Sequence, residues 1–168
     1  MEPGGENASE HHRQLVLLAS EALPAVRDGA DNTALEFVMR FVADAADGRQ
    51  ETRDLVLLLF AECSALVATL GSGGQTPVKM QVFDADGAEL SIDEADPPVR
   101  TAVRTLLAEV HGDADSARAQ VDIALEAGEP AEMSAVVLQA LRWTARLAGE
   151  CRHRELPVPE WIASALDG

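Results

Sequence analysis

The chain has 168 residues, 47% hydrophobic and 25% charged, with a formal net charge of -16. A chain of this length buries about 70% of its unfolded surface, so one domain folds without needing a disulfide or a metal. The charge repels phosphates and excludes nonspecific binding to nucleic acid; it suits solubility, a basic partner, or mimicry of a nucleic acid's charge.

Lys79 is the one lysine among thirteen basic residues, a bias that fits a GC-rich bacterial genome. Cys63 and Cys151 both fall in apolar helical stretches and read as buried free thiols. The first residues, MEPGGENASEHHRQ, carry neither a basic start nor a hydrophobic run. A cytoplasmic location is therefore expected.

In chain order, residues 1–8 are rich in Gly and Glu and are expected to be disordered. A first helix is predicted from a Ser9 cap through Leu15, Leu18 and Leu23 to about Arg27, with Pro24 bending or ending it early. Asp31 or Asn32 caps a second helix whose stripe runs Leu35, Val38, Met39 and Val42, ending at Gly48. Gln50 to Leu70 is the most apolar helix, apolar nearly all round, which places it at the centre of a bundle. It is no membrane span, because Glu62 falls near its middle and a span needs about 20 apolar residues.

Residues 71–77, GSGGQTP, read as a flexible linker between halves 9–70 and 78–168. Val78, Met80 and Val82 then alternate with polar residues, Asp86-Gly87 supplies a turn, and Leu90 and Ile92 return. This predicts a β-hairpin over about 78–92. Asp96 caps the next helix, with Pro97 at its first position. A short helix follows over Asp115–Ala127, then a long one over Ala131–Cys151, and a last amphipathic turn carries Trp161, Ile162 and Leu166. The fold class is mainly α: an orthogonal bundle of six to seven helices around the 50–70 helix, with one hairpin.

Glu62 is the residue with most chemical interest. It lies between Leu58/Leu59 and Leu66 on an apolar face, where a carboxylate is protonated, paired with a base, or set in a pocket to grip a ligand. Arg146, Arg152 and Arg154, with His153, concentrate positive charge near the end of the long helix. They either compensate the helix dipole or contact an anion or an acidic partner. Phe83 points away from the apolar face of the hairpin and is the candidate oligomer contact beside a free strand edge.

Other patterns fail on spacing. Placing Asp86 and Gly87 at positions 5 and 6 of a calcium loop puts Val82 at position 1, so DADG reads as a turn. Glu109, His111, Asp113 and Asp115 surround one helix end and are explained by dipole and capping preferences. Cys151 and His153 would need distant Cys63 for a zinc site, and Glu10-His11-His12 sits in an exposed start without further partners. There is no nucleophile elbow and no P-loop lysine after Gly71-Ser72-Gly73-Gly74.

The expected function is therefore a non-enzymatic interaction or regulatory protein. It acts on a protein partner or as a homodimer, with no metal, cofactor, nucleic acid or membrane. The alternative is a small-molecule-binding protein or enzyme with an apolar pocket between helices that contains Glu62.

Overall fold

The computed structural model describes residues 3–71, 82–83 and 86–167. Seven helices are seen among them: α1 Pro3–Arg27, α2 Asp31–Asp44, α3 Gly48–Leu70, α4 Pro97–Val110, α5 Ala114–Ala127, α6 Pro130–His153 and α7 Glu160–Asp167. A two-residue antiparallel pair, β1 Val82–Phe83 with β2 Glu89–Leu90, sets Val82 opposite Leu90 and Phe83 opposite Glu89. Ile92, expected in the return strand, instead opens a 3-10 turn over Ile92–Glu94. Residues 78–81 and 84–85 of the expected hairpin and 72–77 of the expected linker lie outside the described residues.

The fold is mainly helical, as the periodicity indicates. Helix α3 packs against α1, α2, α4, α5 and α6. Its Leu55, Val56, Leu59, Phe60, Cys63 and Leu66 are buried. Helix α6 is just as central, touching all six other helices. The two meet at several points along their lengths. Phe60 sets its ring edge-to-face against Trp143, with centroids 6.0 Å apart. Cys63 Sγ lies 3.2 Å from Thr144 Oγ1. Cys151 Sγ faces the Leu66 carbonyl at 3.8 Å. One core runs from Leu15 to Leu166, so the two halves of the sequence share an interior.

Capping residues fix the helix boundaries and move several from their expected places. Asp47 accepts a hydrogen bond from the Gln50 amide at 3.2 Å and so starts α3 at Gly48. The α2–α3 connection is tight: a Cβ at Gly48 would lie 2.9 Å from Val42 Cγ1, which explains the glycine there. Asp113, not Asp115, caps α5, accepting from the Ser116 amide at 3.0 Å and the Ser116 hydroxyl at 2.6 Å. Ala30 precedes α2 without a side-chain cap; Asp31 instead pairs with Arg142 of α6.

Pro24 does not end α1. A proline inside a helix costs about 3 kcal/mol. Ala22 and Leu23 beside it are fully enclosed, Val26 is buried, and Arg27 donates to the Leu166 carbonyl of α7. Packing of this turn against α7 outweighs the local cost. At its other end α1 begins at Pro3 rather than Ser9, with proline at the first helical position, where a missing N–H is harmless.

Candidate functional site

Among the clefts that border α3, one lies near its start and one along its middle. The larger, about 610 Å³, lies between α2, the start of α3, the end of α5 and the start of α6. Its walls are Leu35, Val38, Met39 and Val42 from α2, Leu125 from α5, and Met133 and Val137 from α6. Val38, Met133 and Val137 are buried beneath it. Met39 stands on the same apolar stripe but is 61% exposed, because the α2 stripe is wider than its neighbours cover. Its polar side chains are Thr52 and Arg49 of α3 and Ser134 of α6, and Arg49 donates to the Leu125 carbonyl at 2.8 Å.

The second cleft, about 470 Å³, lies where α1 crosses α3 beside α4 and α5. It is lined by ionisable groups, among them His11, His12, Asp54, Glu109, Asp115 and Arg118. The sequence left His11 without partners; the structure gives it two. Its Nε2 is 2.9 Å from Asp54 Oδ2 and its Nδ1 is 3.5 Å from Glu51 Oε1. Leu15, one turn later, is buried, and docking of that turn carries His11 onto α3. Arg53 extends the network to Asp122 of α5 at 3.3 Å and to Asp54 at 3.7 Å. Both ring nitrogens of His11 thus face carboxylates, so neither is left to act as a base toward a ligand.

Glu62 is half-buried on α3. Burial raises its pKa, while the charge of His12 pulls it back down. It lines neither of these two clefts; ten residues past Thr52, it stands about 15 Å farther along α3. Its neighbours Leu58 and Ala61 do line the polar cleft, so it stands at that edge. Glu109 is likewise half-buried and its pKa is raised by burial.

The arginines near the end of α6 are mostly held within the chain. Arg152 pairs with Asp167 of α7, and Arg154 with Glu150 at 3.0 Å. Arg146 is exposed on the same helix. Phe83 lies in β1 opposite Glu89; its side chain is outside what the structure describes. Cys63 is enclosed in the core, and burial pushes its thiol up to about 12, which leaves it protonated and unreactive at neutral pH. Cys151 is also buried and its thiol raised by burial. Among the described residues, no three His, Cys, Asp or Glu side chains are grouped to hold a metal ion, and no helix is long and apolar enough to cross a membrane.

Sequence reasoning missed the apolar groove. Four helices from both halves of the chain build it, and no local motif marks it. The available signal was the breadth of α2, where Phe37 and Phe41 flank the Leu35–Val42 stripe. In comparisons with protein-family models, curated proteins and solved structures, this chain matches none.

Proposed function

We propose that this chain is a non-enzymatic interaction protein whose working surface is the groove between α2 and α6, where it takes up the apolar side of a protein partner. The observation that carries this reading is the groove itself: about 610 Å³, lined mainly by Leu, Val and Met, with Met39 held 61% exposed beside it. An open apolar surface of this kind is costly on a free monomer and is characteristic of binding sites. The chemistry elsewhere supports a binding role, since His11 is saturated by carboxylates and the Cys63 thiol is held protonated. A cytoplasmic protein that also self-associates through the outer edge of β1, beside Phe83, belongs to the same proposal.

An uncharged polarity-sensitive dye such as Nile red tests it. Its emission should shift to the blue on the native protein, and the shift should be lost in Met39→Glu and in Ala43→Glu. A shift that survives both substitutions, or no shift at all, contradicts the reading.

A second reading places a small molecule at the polar cleft with Glu62 on its edge. The half-burial of that carboxyl, with His12 as the opposing charge, favours it. It predicts a ligand whose affinity falls in Glu62→Gln and is unaffected by Met39→Glu.

A further inference from the structure

The outer face of α2 combines an apolar centre with balanced charge. Residues 32, 36, 39, 40 and 43 fall on one side of the helix by their spacing, and all five are exposed. They are Asn32, Glu36, Met39, Arg40 and Ala43: one acid and one base around a methionine, in a chain whose net charge is -16. A patch that shared the chain's acidity would repel the same patch on a second copy. This patch is neutral and does not.

Its two charges are also left open. Glu150 and Arg154 of α6 stand four residues apart, acid before base, and pair at 3.0 Å. Glu36 and Arg40 have the same order and spacing, yet among the described residues neither has an ion-pair partner. Met39 rises on the same face at the mouth of the groove, beside Leu35 and Val42 of its wall. A protruding apolar side chain therefore adjoins a recess, and an open acid adjoins an open base. Both features complement themselves under a twofold rotation.

We infer that a second copy of this chain docks on this face, α2 against α2, antiparallel about a twofold axis level with Val38. The inference rests on the reading of the groove as the interaction surface and names its occupant. An axis midway between residues 36 and 40 sets Glu36 of each copy against Arg40 of the other, so both open charges are answered twice. The two Met39 side chains meet beside the axis and cover the groove mouths, which removes exposed apolar surface from water. A uniformly basic or acidic partner would satisfy one of the two charges and oppose the other, and a neutral ligand would satisfy neither.

Sedimentation of the full chain up to high micromolar concentration tests this, with circular dichroism to check that each variant folds. The parent chain should dimerise, and Met39→Glu should abolish the dimer. Glu36→Arg and Arg40→Glu each set like charges in both contacts and should each weaken it on the order of tenfold. The double variant Glu36→Arg/Arg40→Glu rebuilds both pairs with the charges exchanged and should return to the parent affinity. An equal mixture of the two single variants should form a mixed dimer more tightly than either variant pairs with itself. Glu36→Arg lies outside the groove lining and should still shift Nile red emission to the blue.

A chain that stays monomeric at every concentration and still shifts the dye would overturn the second copy and leave the groove reading standing. Glu36→Arg makes the chain less acidic and Arg40→Glu makes it more so. Effects of opposite sign in the two, without rescue in the double variant, would show overall charge at work and overturn the inference. A dimer lost in Phe83→Ser and kept in every α2 variant would place the contact at the strand edge and overturn it equally.

Discussion

Two clefts beside α3, about 610 and 470 Å³, differ in how many ionisable groups line them. The cleft at the α1–α3 crossing mixes Leu15, Leu57, Leu58 and Ala61 with ionisable groups, two of which, His11 and Asp54, pair with each other. The groove between α2 and α6 is floored with Val, Leu and Met. The His11–Asp54 contact ties α1 to α3. The groove instead leaves Met39 exposed beside buried Val38. On the proposed reading the first surface serves the fold and the second association.

The largest effects should come from the core that both clefts share. Phe60→Ala removes a fully buried ring packed on Trp143 and should cost about 3–5 kcal/mol in chemical denaturation. A loss near zero would show that α3 and α6 are not the common support. His11→Ala should separate the two regions. It removes the base from Glu51, leaves Asp54 with Arg53 alone, and should cost about 1 kcal/mol, while dye binding to the groove stays unchanged. Altered dye binding would mean that the crossing and the groove are coupled. Asp47→Ala removes the α3 cap and should also cost about 1 kcal/mol.

The smallest effect is at Glu62. Its folded pKa lies above the ordinary carboxylate value because of burial, as does that of Glu109. A carboxyl raised in the fold contributes stability below its unfolded pKa and loses it as pH rises through the folded value. Both residues therefore weaken the fold at neutral pH relative to mild acid. Glu62→Gln should be neutral or slightly stabilising in thermal melts at pH 7, with the difference vanishing toward pH 4. A clear destabilisation would mean that the carboxylate has a partner. At the strand pair, Phe83→Ser should reduce any self-association seen by light scattering at high concentration; scattering from a monomer that Phe83→Ser leaves unchanged would contradict dimerisation through that edge.

The helices were legible in the sequence because apolar residues at helical spacing and Gly, Pro and Asp at their ends leave a local record. The 50–70 run announced its burial by having no polar face, and Cys63 and Cys151 are buried where their surroundings indicate. Boundaries slipped where capping is a choice among several acids, as at Asp47 and at Asp113 against Asp115. Pro24 misled because the packing of Leu23 and Val26 comes from the far end of the chain. His11 could not be matched to Asp54 from the sequence, since nothing local specifies a contact across 43 positions. Glu62 was legible as a half-buried acid, but its place three turns from the apolar groove depends on how α2 and α6 pack. The groove was illegible for the same reason, being a gap between helices that are each ordinary alone.

The most direct test of this division is a map of amide chemical shifts in the protein as Nile red is added. The account predicts perturbations in α2, the first turns of α3, the end of α5 and the start of α6, with the His11–Asp54 crossing unchanged. Perturbations centred on His11, Asp54 and Arg118, with the Leu35–Val42 face silent, would contradict it.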